Sequence, residues 1–391
     1  MTENTYPLTC STWGPEELAA IQSVVDSGMF TMGAKVKKFE LEFAEKFGSK
    51  YAVMVGSGSA ANLVGVGSFF FKKDRPLKAG DEVLVPAISW STTYYPLHQY
   101  GLTQRFIDVD IDSLNIDVSV LEQALTEKTK MVVAVSILGN PAKLDILRNF
   151  CDKHNLYLFE DNCESMAASI NGKFTGTFGD IGTFSTFYSH HISTMEGGVI
   201  LTDSEELYHL AICLRAHGWT RNLPENTTLY EKRDDDFYEA YRFILPGYNA
   251  RPIEFSGAIG SEQLKKLDTM IELRRKNAEY FVELFSKDER FIIQKEYGNS
   301  SWFSFTIILN PKMNISRDKV ISALKENGIE FRIITGGNFL RHDVIKHITH
   351  TVYNGTPNAD MVHDHGFFVG NFPYDIRDKI KLLHSILDKI A

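Results

Sequence analysis

The stretch MVVAVSILGNPAKLDILRNFCDKHNLYLFEDN, residues 131–162, decides the fold class of this chain. It opens with the apolar run MVVAVSIL, continues with the helical pattern DILRNFCDKHN and closes with a second apolar run, LYLFED. Two parallel strands need a long crossover between them, usually a helix, and strands buried on both faces are apolar almost throughout. The stretch therefore predicts a strand–helix–strand unit of a parallel sheet.

The same alternation continues on both sides of this unit. A helical run covers 60–71. Further apolar runs of strand length lie at 51–55, 81–89, 104–110, 183–187 and 197–203. We therefore predict an α/β fold whose large, mostly parallel sheet has helices on both faces.

The pattern changes in the last third of the chain. A long helical stretch runs over 254–287, and strand, helix and strand patterns follow at 301–309, 317–328 and 329–334. We predict a large domain over 1–270, including the N-terminal segment, and a small α+β domain over 271–391. The polar segment 222–241 is expected to be a solvated loop, with a subunit or substrate contact as the alternative.

Charge and composition narrow the class of protein. A net charge of −9 over 391 residues argues against a general nucleic-acid binder, which needs clustered Lys and Arg. The longest apolar runs, such as 131–138, are too short to span a bilayer, and MTENTYPLTC does not have the pattern of a signal peptide. We therefore expect a cytoplasmic protein with no nucleic-acid or membrane partner.

The cysteines show no metal-binding pattern. No two of them have C-x-x-C or related spacing, so we expect reduced thiols, no bound metal and no iron–sulfur cluster. The four residues are Cys10, Cys151, Cys163 and Cys213.

Three features near strand ends could form a binding site. Gly58 and Ser59 follow a strand and open a helix, where free amides favour a phosphate; the alternative is a helix N-cap beginning with Ser59. Asp161 ends a strand and could face a cationic heterocycle, or else cap a following helix. Trp90 also ends a strand and could stack on a ring, or else pack in the core.

Two adjacent histidines, His190 and His191, lie just past the predicted strand 183–187 and before Gly197-Gly198. An imidazole titrates near neutral pH and therefore suits general acid/base chemistry. Two satisfied polar residues in a turn are the alternative. A slip of one residue in that turn would exchange the two histidines.

Together these features resemble the DegT/DnrJ/EryC1 aminotransferase family, the sugar-modifying branch of the fold-type I pyridoxal-phosphate enzymes. The shared order is a Gly-Ser loop, an aromatic after Pro-Ala, an aspartate ending a strand, Ser-x-Phe, and a catalytic position seven residues before Gly-Gly. The resemblance covers nearly the whole chain, from TMG at 31–33 to FFVGN at 367–371.

One departure from the family pattern is informative. The family normally has lysine at the catalytic position, and here His190 stands seven residues before Gly197. Imidazole is not a primary amine, so the resemblance implies pyridoxal or pyridoxamine 5′-phosphate held without a covalent link. This substitution is a feature of the 3-dehydratase subgroup, which acts on nucleotide-linked 4-keto-6-deoxyhexoses. The scattered cysteines favour its version without an iron–sulfur cluster.

The resemblance also assigns roles to individual residues. It implies phosphate contacts by Gly58, Ser59 and Ser185, stacking by Trp90, a partner for the ring nitrogen in Asp161 and one for the ring hydroxyl in Glu164. Asn249 would reach the phosphate of the neighbouring subunit, which implies a homodimer with shared active sites. Contacts to the amino donor or the sugar would come from His217, Arg221 and Arg332.

The reaction that the resemblance implies uses L-glutamate as amino donor and His190 as base. It removes the C3 hydroxyl of a nucleotide-linked 4-keto-6-deoxyhexose and yields the 4-keto-3,6-dideoxysugar. GDP-4-keto-6-deoxymannose is the expected substrate, and CDP-linked sugars stay open. The alternatives are a nucleotide-sugar aminotransferase and a non-catalytic relative that binds cofactor or sugar.

Overall fold

The computed structural model describes residues 5–390, which contain fourteen strands and twelve α-helices. The strands are β1 (Tyr51–Val55), β2 (Glu82–Pro86), β3 (Thr103–Ile107), β4 (Thr129–Val135), β5 (Tyr157–Asp161), β6 (Ser169–Ile170), β7 (Lys173–Phe174), β8 (Ile181–Ser185), β9 (Gly198–Thr202), β10 (Phe291–Ile292), β11 (Ser304–Leu309), β12 (Phe331–Arg332), β13 (His350–Val352) and β14 (Gly366–Gly370). The helices are α1 (Pro15–Ser27), α2 (Ala34–Phe47), α3 (Gly58–Phe70), α4 (Ser91–Gln99), α5 (Leu121–Ala124), α6 (Leu144–His154), α7 (Glu205–Arg215), α8 (Asp236–Glu239), α9 (Glu254–Phe285), α10 (Arg317–Glu326), α11 (Pro357–His365) and α12 (Arg377–Asp388).

Eight strands form one large sheet in the order β1-β9-β8-β5-β4-β2-β3-β13. Every neighbouring pair is parallel except the two that involve β9, which runs antiparallel to β8 and β1. The unit over 131–162 forms β4, α6 and β5, with β4 and β5 adjacent and parallel. The predicted α/β fold with a mostly parallel sheet is therefore confirmed.

Both faces of the large sheet are buried, which explains the unbroken apolar strands. Along β1, Val53 and Val55 belong to a core cluster that also contains residues of α3 and α7. Ala52 and Met54 point to the opposite face and pack in a cluster with α2 and α9. Successive side chains of a strand alternate between faces, so a strand between two helical layers needs apolar residues at every position.

A second, antiparallel sheet has the order β10-β11-β14-β12 and carries its own core. Helix α9 connects the two cores: Leu267 and Ile271 pack with the large sheet, and Phe281 and Phe285 pack with the small one. The division into domains at 270/271 stays a prediction. It falls inside α9, close to where the helix passes from one core to the other.

Two segments pack across the predicted division. Strand β13 pairs with β3 at the edge of the large sheet although it lies within 271–391. Tyr6, near the start of the chain, is buried in the core of the small sheet and donates a hydrogen bond to the Gly370 carbonyl. Neither pairing has a local sequence signal, because each joins residues far apart in the chain.

The polar segment 222–241 contains one short helix, α8, and no strand among the described residues. Its Phe237 side chain is 93% exposed. The segment therefore lies largely on the surface of the chain, as expected for a solvated loop. Its alternative role as a subunit or substrate contact stays a prediction.

Candidate active site

Residues from separate parts of the sheet meet at one cavity of about 410 Å³. They come from the ends of β5 and β8 and from the segments that follow β1 and β2, as expected for a ligand site at the carboxyl ends of parallel strands. Seven of the site residues that the sequence predicted line this cavity: Gly58, Ser59, Trp90, Asp161, Glu164, Ser185 and His190.

Asp161 is a buried carboxylate held by three donors. Its Oδ2 accepts hydrogen bonds from Asn62 Nδ2 at 2.8 Å and from Thr93 Oγ1 at 2.7 Å, and its Oδ1 accepts one from the Cys163 amide at 3.1 Å. No helix begins between Asp161 and α7, so the alternative of a helix cap is wrong. The contacts hold the carboxyl group at the wall of the cavity, where a negative charge would favour a protonated ring nitrogen.

The N-terminus of α3 forms another part of the cavity wall. The N-cap is Ser57, whose hydroxyl accepts from the Ala60 amide, so the alternative in which Ser59 begins the cap is wrong. The amides of Gly58 and Ser59 fall in the first turn, where the helix offers no acceptor. A Cβ on Gly58 would lie 2.7 Å from Ser185 Cβ, so only glycine lets α3 approach β8 this closely. This end of the cavity therefore suits a phosphate.

Trp90 is 59% exposed and precedes α4 as its N-cap residue. The alternative of core packing is therefore wrong. The indole lies at the cavity as a large apolar surface, which suits stacking on a flat heterocycle.

Glu164 also lines the cavity. Its Oε2 accepts hydrogen bonds from the Leu138 amide at 3.0 Å and from Thr335 Oγ1 at 3.5 Å. Burial raises the pKa of Glu164 to about 7, and the negative charge of Asp161 also raises it. A carboxyl group with that pKa can donate or accept a hydrogen bond at neutral pH.

The two histidines have different environments. His190 lines the cavity, and its ring lies 5.9 Å from that of Phe187 and 5.3 Å from that of Phe303 between centroids. His191 is fully buried, and its Nε2 lies 3.3 Å from the Ser301 carbonyl oxygen. Burial lowers the pKa of His190 to about 4, so its imidazole is uncharged at neutral pH. Of the two histidines, only His190 is therefore placed to exchange a proton with a bound molecule.

These shifts predict the titration of His190. In the protein without cofactor, the imidazole should stay uncharged down to about pH 5 and gain its proton only near pH 4, because burial disfavours the charged form. The pKa of His191 is lowered by burial as well. Unfolded histidines bind protons near pH 6.5, so the free energy of unfolding should fall as the pH drops from about 6.5 towards 4.

Nitrogen-15 NMR of histidine-labelled protein measures the titration, and urea unfolding at several pH values measures the stability. The His190 signal is assigned by its loss in His190→Gln. An ordinary midpoint near 6.5 for His190 would contradict the expected titration.

The other four predicted site residues do not line this cavity: Asn249, His217, Arg221 and Arg332. Asn249 is exposed, and its Oδ1 accepts a hydrogen bond from Arg251 Nε at 3.0 Å. The guanidinium carbon of Arg221 lies 5.1 Å from the centroid of the Trp219 ring. Arg332 pairs in β12 with Phe368, which does line the cavity. Their predicted roles stay predictions.

Sequence reasoning missed the residues that hold Asp161. Asn62 and Thr93 both donate to its Oδ2, and Thr183 Oγ1 donates to Asn62 Oδ1 at 2.6 Å. Asn62 did have a signal, since it is a polar residue within the apolar helix AANLVGVGSFFF, one turn after Gly58. Phe303, which contacts His190 from the small-sheet side, had none.

The cavity thus combines a phosphate-binding helix end, an exposed indole, a fixed carboxylate and an uncharged imidazole. These groups fit the phosphate, the ring face and the ring nitrogen of a pyridoxal phosphate. Gly58 supports the fit independently, because any side chain there would meet Ser185 and close the end of the cavity.

No group of three or more His, Cys, Asp or Glu in residues 5–390 could hold a metal ion. No helix in the same range combines the length and the apolar composition that crossing a bilayer requires.

Comparisons with known proteins identify the family to which the chain is similar. The model of the DegT/DnrJ/EryC1/StrS aminotransferase family matches residues 12–374. GDP-4-keto-6-deoxy-D-mannose 3-dehydratase of Yersinia pseudotuberculosis is 54% identical over 386 residues, which cover 98% of each chain.

Two solved structures are similar over nearly the whole chain. A GDP-4-keto-6-deoxymannose-3-dehydratase with a trapped PLP-glutamate geminal diamine has a TM-score of 0.96 and 52% identity, and covers 98% of this chain and 100% of its own. A ColD variant, in which a histidine became lysine and the serine just before it became asparagine, has a TM-score of 0.95 and 52% identity. Its alignment covers 97% of this chain and 100% of that one.

Proposed function

Because the chain belongs to the DegT/DnrJ/EryC1/StrS aminotransferase family, we propose that it is a pyridoxal-phosphate-dependent sugar 3-dehydratase. Its proposed substrate is GDP-4-keto-6-deoxymannose, its amino donor is L-glutamate, and its product is the 4-keto-3,6-dideoxysugar. The observation that carries the proposal is an uncharged imidazole, that of His190, where the family resemblance predicts a lysine. The 3-dehydratase relative at 54% identity supports the proposed substrate.

The assignment of His190 rather than His191 has separate support. In the ColD variant, the mutated histidine directly follows a serine. In this chain Ser189 precedes His190, whereas His191 follows another histidine. Burial of His191 against the Ser301 carbonyl points the same way, because that ring cannot reach the cavity without moving.

Different residues of the cavity would contact different parts of the cofactor. The α3 amides at Gly58 and Ser59, with the Ser185 hydroxyl, bind the phosphate, and Trp90 stacks on the ring. Asp161 keeps the ring nitrogen protonated. When bound, the cofactor supplies an electron sink for the bonds broken at the sugar.

His190 would transfer the proton that is taken from carbon and given to the departing C3 hydroxyl. Its Nδ1 is buried, which leaves Nε2 as the atom open to the cavity. An uncharged Nε2 can take a proton from carbon, and the resulting imidazolium, with a pKa near 4, readily gives that proton to the departing C3 hydroxyl. One imidazole can therefore act first as base and then as acid, whereas a lysine there would bind the cofactor covalently.

The experiment that tests the proposal has two stages. The protein is first incubated with pyridoxal phosphate and L-glutamate, and 2-oxoglutarate is assayed; a non-catalytic relative would form none. GDP-4-keto-6-deoxymannose is then added, and a dehydratase should release ammonia and a product that lacks the C3 oxygen. An aminotransferase would instead retain nitrogen in the sugar, which mass spectrometry distinguishes. CDP-linked and other nucleotide-linked keto-sugars, run in parallel, test the choice of nucleotide.

We also propose a homodimer in which Asn249 completes the partner's phosphate site. Asn249 is exposed and lies outside the cavity of its own subunit, as a residue that serves the neighbour would. We expect Asn249→Ala to weaken cofactor retention, measured by equilibrium dialysis, while the circular dichroism of the protein stays unchanged.

Mixing Asn249→Ala with His190→Asn tests whether the sites are shared. After subunit exchange, each heterodimer would contain one site with both wild-type groups, so about a quarter of the wild-type activity should return in an equal mixture. Each parent alone is the control. An inactive mixture, with heterodimers verified by mass spectrometry, would rule out shared sites of this kind.

A further inference from the structure

Arg274, on α9, is a buried positive charge without a counter-ion. Its side chain is 3% exposed, and its Nε has no hydrogen-bond partner. It forms no ion pair with a carboxylate in residues 5–390. Burial lowers its pKa to about 10, and the Cys10 thiol acts against that shift. Burying an unpaired charge costs free energy, so buried arginines are ordinarily paired. This exception lies directly behind the active site.

The contacts of Arg274 lead to the two histidines through one residue. Its Nη1 donates a hydrogen bond to the Phe303 carbonyl at 3.1 Å and another to the Asn371 carbonyl. The Phe303 ring lines the cavity, with its centroid 5.3 Å from that of His190 and 5.5 Å from that of His191. Arg274 therefore fixes the backbone of the residue against which both imidazoles pack.

The ionisable groups around His190 come from several elements. They are His191 and Glu196 on its own loop, Arg274 on α9, and Asp161, Cys163 and Glu164 at the end of β5 and just after it. Cys10, on the N-terminal segment, lies near Arg274. The carboxylates would favour a protonated imidazole. Burial opposes protonation first, and the charge of Arg274 opposes it next, so the pKa of His190 is low.

We propose that Arg274 is a positioning residue for the active site: its unpaired charge, acting from behind Phe303, disfavours the protonated form of His190 beyond what burial alone does. This rests on the role given to His190 in the proposed function. A base that takes a proton from carbon needs a free lone pair, and the carboxylates of the cavity work against that. The same positive charge makes the imidazolium a stronger acid, so the proton is passed on to the leaving hydroxyl.

The titration of His190 in the full-length, cofactor-free protein tests this directly. In Arg274→Gln, the nitrogen-15 midpoint of His190 should rise by about one pH unit or more, because a nearby like charge has been removed. Arg274→Lys keeps the charge and should keep the low midpoint. Arg275→Gln is the matched control, because the neighbouring Arg275 donates to the Ser300 and Ala167 carbonyls and should leave His190 unchanged.

A second pair of variants leaves Arg274 in place. Cys10 lies partly buried near Arg274. Burial raises the pKa of its thiol, and the charge of Arg274 acts against that rise. Cys10→Asp supplies the missing counter-ion and should raise the His190 midpoint as well, whereas Cys10→Ser should not. This pair of variants tests the effect of the Arg274 charge on His190 even if Arg274→Gln does not fold.

The activity assay gives a matching readout. With saturating cofactor, the acid limb of the pH–rate profile should move to higher pH in Arg274→Gln and Cys10→Asp, and stay in place in Arg274→Lys and Arg275→Gln. An unchanged His190 midpoint in folded Arg274→Gln or in Cys10→Asp would overturn the proposal. So would an equal shift in Arg274→Lys, since hydrogen bonding and not charge would then be responsible. Failure of the proposed function would appear instead as no ammonia from the wild-type protein, whatever the midpoints.

Discussion

His190→Lys should acquire a covalent link to pyridoxal phosphate and lose dehydratase activity by at least about a hundredfold. The lysine amine can attack the cofactor aldehyde, whereas an imidazole cannot form that bond. The side chain of residue 190 lines the cavity, so the amine would be within reach of the bound cofactor. The expected signs are a new visible absorbance and, after reduction with borohydride, a cofactor-modified peptide that contains residue 190.

The loss of activity has two causes that a second variant separates. A lysine competes with glutamate for the aldehyde, and it also replaces the base that has a pKa near 4. His190→Asn removes the base and introduces no amine, so it should lose activity without forming a borohydride-stable adduct. Both half-reactions should slow, because each of them moves a proton to or from carbon. Rapid formation of 2-oxoglutarate with no ammonia in this variant would instead confine the role of His190 to the second half of the cycle.

His191→Lys is the control that tests which of the two adjacent histidines faces the cofactor. His191 is fully buried against Ser301, so a lysine there should form no borohydride-stable adduct. A labelled peptide modified at 191 and not at 190 would mean that the two histidines have exchanged roles. The choice of His190 as base would then be wrong.

Asp161→Asn should slow both half-reactions by on the order of a hundredfold, even when cofactor is saturating. The carboxylate stabilises the protonated ring nitrogen, and a neutral amide cannot, so the cofactor accepts electrons less well. The hydrogen bonds from Asn62 and Thr93 show that the carboxylate is held rigidly in place. Single-turnover absorbance measurements, with glutamate and then with the keto-sugar, give the two rates separately.

Glu160→Gln is the matched control for Asp161. Glu160 is the preceding residue in β5, and it accepts hydrogen bonds from the Gly176 and Gly179 amides on the other face of the sheet. Its loss should lower the free energy of unfolding and leave both half-reactions close to wild type. Unchanged rates in Asp161→Asn, measured beside this control, would remove Asp161 from the electron-sink role.

Most of the large sheet could be predicted from local pattern. Residues 51–55 were predicted as a strand and form β1. The run at 156–161 contains β5, and the run at 131–138 overlaps β4, which begins two residues earlier. Strands buried between two helical layers are apolar along their whole length, and that pattern is visible in a short window. The predicted strand 183–187 lies two residues later than β8 at 181–185, because local composition does not determine where sheet pairing stops.

Pairings between distant residues could not be predicted in this way. Strand β13 consists of three exposed residues, His350–Val352, and is ordered by pairing with β3. Phe303 reaches the cavity only because α9 and the small sheet pack beside the large one. Contacts of this kind depend on the assembled fold, and no spacing in the chain encodes them.

The sequence by itself determined the chemistry that position 190 permits, and the tertiary structure decided how that chemistry is tuned. A histidine seven residues before Gly197 excludes a covalent lysine link there, whatever surrounds it. His190 and His191, however, have the same side chain and the same ordinary pKa. Only packing separates them, because one lines a cavity and the other is buried against a carbonyl. Burial and the field of a charge depend on neighbours in space, and Arg274 is 84 residues further along the chain (274 − 190).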